Sequence, residues 1–415
     1  MVTSGPEPHP RRGRRRQGRA GSPARGADLA GGEAVLDVGP LAHGGHCVAR
    51  WDGRVVFVRH TLPGEQVRVV ITEGYERSAF LRADAVEVLK PAPGRVQRPC
   101  PYSGPDRCGG CDFQHVDPAV QRELLAGVVQ EQLARLAGIR RDVVVEAVDP
   151  TPLEWRTRLG WTVDADGRPG LRKHRSHDVV AVDRCLIAAP QLPDVHSRRW
   201  PPGALDTAVS STCDTAVLAD GQLVEGRSRL RHHVRHRELV VSAGGFWQVH
   251  PRAAQTLVDV VLELAQPQPG QRCADLYSGV GLFSVFLAEA VGEAGAVLSV
   301  ESDEQAVKDA RRNAFDLPQL RIATGEVRAV LTGQEPERLD LVVLDPPRTG
   351  AKAAVVEQVV ARAPDRVVYV ACDPAGLARD VATFTASGYA LTDLRAFDLF
   401  PMTAHVECVA LLERV

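Results

Sequence analysis

Cys372, in the segment VVYVACDPAGLARD, ends an apolar, β-branched run just before a helix-start signal. That pattern predicts a thiol at the carboxyl end of a buried strand, the edge of an open α/β sheet where ligands bind and reactions occur. Two more motifs lead to the same edge: DLYSGVGLF at 275–283 runs from a strand through a glycine turn into a helix, and VVLDPPRTG at 342–350 ends a strand on Asp345. Pro346 and Pro347 stiffen the turn that carries this carboxylate. Glu407 lies in the apolar strand LFPMTAHVECVALL, where a carboxylate is costly to bury unless it is paired or working. Thiol, acids and glycine turn together describe a cofactor-dependent transferase with a cysteine nucleophile. The helix after Pro374 is expected to lower the thiol pKa.

The glycine turn indicates the cofactor. Gly279 and Gly281 permit close approach of a ligand to the backbone, and Glu301 ends the next strand twenty residues after Gly281, where an acid accepts hydrogen bonds from a ribose diol. Ser284 stands where the dinucleotide fingerprint has its third glycine. A nucleoside therefore fits better than a pyrophosphate, and S-adenosylmethionine better than NAD.

A second set of residues suits metal chemistry. Cys100, Cys108 and Cys111 have C-x7-C-x2-C spacing, and Cys185 follows in VDRCLIAAPQ. Four thiolates can hold an iron–sulfur cluster or a tetrahedral zinc, and ligand type alone does not separate them. Cys47, Cys213, Cys273 and Cys408 read as ordinary cysteines.

These residues need a scaffold, and 415 residues provide for more than one unit. Residues 1–28 hold Arg11, Arg12, Arg14, Arg15, Arg16, Arg19 and Arg25 among Gly, Pro and Ser, and read as a disordered basic arm inside a chain of net charge −2. Residues 29–90 alternate short β runs with Gly, Pro and Asp turns, the pattern of a small β-barrel. Residues 91–244 form a mixed central domain that begins with the cysteine loop and a helix over 118–138. From 245 to 415 strands and helices alternate, which predicts an α/β domain with a parallel sheet covered on both faces. No apolar run reaches the roughly 18 to 20 residues of a membrane span, and no secretory signal follows the arginines. The expected setting is the cytoplasm, where nine cysteines point to metal or catalysis rather than to disulfides.

In order and spacing, FWQVH, DLYSGVGLF, LDPPRTG, YVACDPAGLARD and DLFPMTAHVE resemble the signature series of the RNA uracil-5-methyltransferase family. The resemblance covers residues from about 29 to 415 and implies a Rossmann-like S-adenosylmethionine methyltransferase domain behind an N-terminal TRAM barrel, which is OB-like. It implies Cys372 as the nucleophile that adds to carbon 6 of uracil, and Glu407 as the base that removes the proton from carbon 5. It places Asp345 against the uracil edge or the methyl donor, and Gln248 in the pocket wall. Tyr277, Leu282 and Glu301 match cofactor contacts. The CGGC turn and the downstream Cys185 are similar to the [4Fe–4S] site of the family's rRNA-modifying branch, although the first spacing is two residues longer. That likeness favours 23S rRNA as substrate over tRNA, and the protein is expected to act as a monomer.

His250 replaces a common Asn, Ser278 a frequent Cys, and Leu282 a residue that is often polar in relatives. A target uracil must come from a loop or be flipped out of a helix. Phe246 and Trp247 are possible stacking partners, and the basic stretches 171–177 and 227–237 possible phosphate contacts. Rival readings fit less well. A radical methylthiotransferase needs C-x3-C-x2-C, a DNA cytosine-5-methyltransferase carries its nucleophile after proline, and a non-catalytic RNA-binding protein would be expected to have lost Cys372 or Glu407.

Overall fold

The structure, a computed structural model, describes residues 26–333 and 337–415. The basic arm therefore lies, up to residue 25, outside the described residues.

Strands β1 (Glu33–Ala42), β2 (His46–Trp51), β3 (Arg54–Arg59), β4 (Gln66–Glu73) and β5 (Phe80–Lys90) close into a barrel of order β1-β2-β3-β5-β4. Alternation drives it: in β4 the buried positions are Val67, Val69 and Ile71. Asp52 and Gly53 supply the paired positive φ angles, 48° and 77°, of a two-residue hairpin turn between β2 and β3.

The cysteine loop leads to helix α1 (Pro118–Gln132), whose first turn is capped by the Asp117 carboxylate accepting from the Ala119 N–H. Strand β6 (Val145–Ala147) follows. A six-stranded sheet of order β12-β11-β10-β7-β8-β9 comprises β7 (Arg158–Val163), β8 (Pro169–Arg172), β9 (Val179–Ala181), β10 (Gly203–Val209), β11 (Thr215–Ala219) and β12 (Gln222–Gly226). A separate hairpin, β13 (Arg229–Val234) with β14 (Arg237–Ser242), links it to the last unit.

That unit contains α2 (Ala253–Ala265), β15 (Arg272–Leu276), α3 (Leu282–Val291), β16 (Ala296–Glu301), α4 (Glu304–Asn313), β17 (Leu320–Thr324), α5 (Val327–Thr332), β18 (Leu341–Leu344), α6 (Ala353–Val360), β19 (Arg366–Ala371), α7 (Pro374–Ala386), β20 (Tyr389–Asp398) and β21 (Glu407–Arg414). Its sheet runs β17-β16-β15-β18-β19-β21-β20-β6. Strands β15 to β19 are parallel and β21 is antiparallel to both neighbours. The outermost strand, β6, comes from the stretch read as central, so that stretch also completes the catalytic sheet. One apolar core runs from Leu36, Val56 and Leu81 of the barrel through Leu125 and Val129 of α1 to Tyr369 and Phe384. Among the described residues no helix is long and apolar enough to cross a membrane.

Candidate active site

The ends of the parallel strands set the site. Tyr277 follows β15, Glu301 ends β16, Asp345 follows β18 and Cys372 follows β19. Strand β21 reaches the same edge from the opposite direction. Ala371 pairs with Cys408, so the next pair in that register is Cys372 with Glu407. Thiol and carboxylate therefore share an edge although 34 intervening residues separate them in sequence.

All of these residues line one cavity of about 1100 Å³, together with Gln248, Gly279 and Leu282. At the glycine end, the Glu301 carboxylate accepts from Gly279 N at 2.9 Å, Ser302 N at 2.6 Å and Asp303 N at 2.7 Å, which fixes its orientation toward the cavity wall. Gly281 lies behind that wall. With φ 87° it turns the chain into α3 and packs near Ala310. Leu282 is buried and presents only an apolar surface.

At the other end the electrostatics run against the expectation for Cys372. Burial, then the nearby Glu407 and Asp345 carboxyls, push its thiol up to about 11, and this outweighs Arg348. The helix start does not produce a thiolate in the ligand-free protein. The acids are also shifted upward: burial and Asp275 raise Asp345 to about 7, and burial with Asp345 raises Glu407 well above an ordinary carboxyl. Asp275, fully buried beneath them, is likewise raised to about 7 by burial. Among the described residues its Oδ1 has no hydrogen-bond partner. Arg348 is the cation acting on both Cys372 and Glu407, and its guanidinium lies 3.4 Å from His405 Nε2. Arg348 does not offset the burial of these acids, and a cationic ligand beside them would lower their pKa values.

Three of these groups escaped the sequence reading: Asp275 and Arg348, which stand inside quoted motifs, and His405, two residues before Glu407. Their signal was their proximity to motif residues, and only the fold shows that Arg348 and His405 line the cavity while Asp275, buried off its lining, acts on Asp345.

The aromatic pair divides. Phe246 is 74% exposed at the cavity rim, whereas Trp247 is buried with its ring 4.5 Å from that of His232. His250 lies off the cavity, buried, with Nδ1 accepting from Arg252 N and its ring stacked on Trp155. The basic stretches are largely neutralised. Arg227 and Arg231 pair with Asp214, Arg235 with Asp259, Arg237 with Glu289 and Asp316, and Lys173 with Asp106.

Cys100, Cys108, Cys111 and Cys185 line a second cavity of about 310 Å³, with Arg156, Arg172, Lys173, Arg175 and Arg184 along its walls. Gly109 is required in the turn, because a Cβ there would lie 2.5 Å from His174 N. Burial raises the Cys111 thiol to about 12. Among the described residues no group of three His, Cys, Asp or Glu side chains converges closely enough for one metal ion. A zinc with bonds of about 2.3 Å draws its sulfurs together. Four thiols on one cavity could hold a zinc or an iron–sulfur cluster, and the cationic side chains on its walls would suit a cluster's negative charge.

Comparison with known proteins adds relatives to this geometry. The sequence profile of the tRNA (uracil-5-)-methyltransferase family matches residues 221–415, and that of the TRAM domain matches 33–86. A Streptomyces coelicolor protein described as an uncharacterized RNA methyltransferase is 46% identical over 93% of this chain and 93% of its own length. The 23S rRNA (uracil(1939)-C(5))-methyltransferase of Alkalilimnicola ehrlichii is 32% identical over 90% of this chain and 95% of its own. The tRNA (uracil-54, C5)-methyltransferase of Pyrococcus abyssi, solved with S-adenosyl-L-homocysteine, superposes with a TM-score of 0.68 at 22% identity, over 92% of this chain and all of that one.

Proposed function

Because the chain belongs to the RNA (uracil-5-)-methyltransferase family, we propose that it methylates carbon 5 of a uridine in 23S rRNA, with Cys372 as nucleophile and Glu407 as base. The observation that carries the mechanism is the register of β19 and β21, which sets Cys372 beside Glu407 at the edge of the cofactor cavity. S-adenosylmethionine bound along Glu301, Tyr277 and Gly279 supplies an electrophilic methyl group. Its sulfonium would add positive charge beside the raised Asp345 and Glu407 carboxyls.

Uracil carbon 5 is a weak nucleophile. Cys372 loses its proton to solvent as its Sγ adds to carbon 6, and the electrons of the 5,6 double bond move into an enolate. Carbon 5 of this enolate would form the new bond to the methyl group as the methyl–sulfur bond breaks, its electron pair leaving with S-adenosylhomocysteine. Glu407 then takes the carbon 5 proton, and the released electron pair restores the double bond and expels Cys372 Sγ. Arg348, near both groups, opposes the accumulation of negative charge. Asp345 and Gln248 line the same space and orient the base or the donor.

The rRNA assignment follows from the 32% identical relative and from the four-cysteine cavity, in which Cys100, Cys108, Cys111 and Cys185 would hold a [4Fe–4S] cluster. The methyl transfer needs no electrons, so the cluster has a structural role. The enzyme acts as a cytoplasmic monomer. Incubation of the anaerobically purified chain with unmodified rRNA and tRNA fractions, read as 5-methyluridine by mass spectrometry, tests the assignment. Product from rRNA alone is expected, with none from Cys372→Ala and a stalled protein–RNA adduct from Glu407→Gln. Product from tRNA alone would overturn the substrate, and activity in Cys372→Ala would overturn the mechanism.

A further inference from the structure

The turn between β1 and β2 carries His43 across to the catalytic sheet. Its Nε2 lies 2.8 Å from Asp373 Oδ2, and because a carboxylate only accepts, Nε2 donates. The other oxygen, Asp373 Oδ1, accepts from Gly376 N at 2.7 Å and caps α7. Asp373 directly follows Cys372, so its carboxylate is gripped by the helix and by the barrel. The upward push of burial on Asp373 is outweighed by the His43 hydrogen bond and the cap, which lower its pKa and keep it ionised.

The same turn meets the other catalytic segment. Gly45 abuts Ala404, at a separation where an added Cβ would lie 2.7 Å away, and the Ala404 N–H donates to Asp112 Oδ2 at 3.0 Å. Ala404 stands three residues before Glu407. A single barrel turn thus touches the residue after the nucleophile and the segment leading to the base.

We propose that His43 is a positioning residue for Cys372, so that the nucleophile's turn takes its reactive placement only when the barrel is docked. This rests on the assignment of Cys372 as nucleophile. On its other side Cys372 follows Ala371, where the β19–β21 ladder ends at the Ala371–Cys408 pair, so the contacts of Asp373 with α7 and His43 fix the turn beyond it.

The test uses the full chain, its His43→Ala and His43→Gln variants, and RNA containing 5-fluorouridine, whose carbon 5 carries no proton to remove and which therefore traps the Cys372 adduct. His43→Ala is expected to slow adduct formation at saturating RNA by roughly tenfold to a hundredfold. Affinities for RNA and S-adenosylhomocysteine stay unchanged. His43→Gln, whose amide still donates, restores most of the rate. An unchanged rate in His43→Ala, or a loss confined to RNA affinity, would overturn the proposal. If the unaltered chain forms neither 5-methyluridine nor adduct, the reaction assignment fails instead. Peptide-resolved alkylation by iodoacetamide then decides the positioning role: a several-fold change at Cys372 in His43→Ala, with Cys213 constant, supports it, and no change overturns it.

Discussion

Burial holds the Asp345 and Glu407 carboxyls above their ordinary range, with Asp275 adding to the push on Asp345, at about 7, and Asp345 adding to the push on Glu407. The sign of the consequence follows. A cation entering the cavity lowers both pKa values, so at pH near 7 its binding releases protons that the free protein carried. S-adenosylmethionine is expected to release more protons than the neutral sulfide S-adenosylhomocysteine, with the difference shrinking above pH 9, where Asp345 at about 7 is already ionised. Titration calorimetry in buffers of different ionisation enthalpy measures this directly. Equal proton release by the two ligands would mean that the acids do not sense the sulfonium. The same reasoning explains the neutral thiol. Burial and the neighbouring acids hold Cys372 at about 11, and a cation beside those acids would lower it and raise the thiolate fraction.

Helix α7 and the loop after β18 hold the reacting groups in register. Gly376, in the first turn of α7, lies where a Cβ would stand 2.9 Å from the Arg348 carbonyl oxygen and 3.3 Å from Gly350 N. The buried Asp380 accepts from Ala351 N at 2.6 Å and from the Tyr369 hydroxyl at 2.6 Å, which ties that loop to β19. Gly376→Ala should therefore push the Arg348 loop away from Cys372. The expected result is a thermal stability loss of roughly 1–3 kcal/mol, a larger fall in kcat, and unchanged S-adenosylhomocysteine affinity at the distant glycine turn. Thermal unfolding and single-turnover methylation check this. At this scale the sequence was most readable. Apolar runs such as RVVYVA and DLVVLD are buried on both faces and have no alternative reading, so each parallel strand was visible, and with it the edge that gathers Glu301, Asp345 and Cys372. Less was visible where elements are short or depend on distant partners. Helix α5 has six residues, too few to show a period, and β6 has three, becoming a strand only because β20 offers it an edge. The bridge from His43 to Asp373 spans 330 residues and leaves no local pattern.

The whole molecule joins its two cavities through a shared wall. Arg156 lines both, and Trp155 packs in one small core with Cys111, Cys185, Met402 and Phe400. The cysteine loop is bonded directly to the segment before the base: Asp112 N and Phe113 N donate to the Met402 carbonyl at 2.9 and 3.0 Å. Ordering of that loop thus supports the segment that leads to Glu407. Burial raises the Cys108, Cys111 and Cys185 thiols, Cys111 to about 12, and five cationic side chains line the cavity, of which Lys173, Arg175 and Arg184 also pair with Asp106, Glu73 and Glu154. A bound cluster would supply the negative charge and tie Cys185 to the loop. Anaerobically purified protein should therefore contain about four iron and four sulfide per chain and absorb broadly near 400 nm. Cys111→Ala should lose that absorption, unfold at lower temperature, and methylate RNA more slowly while still binding S-adenosylhomocysteine, because the glycine turn and Glu301 lie outside the damaged region. One tightly held zinc per chain would assign the site to a single ion and require the four thiols to draw inward. Full methylation by Cys111→Ala would show that the Met402 bonds hold the base segment without any metal.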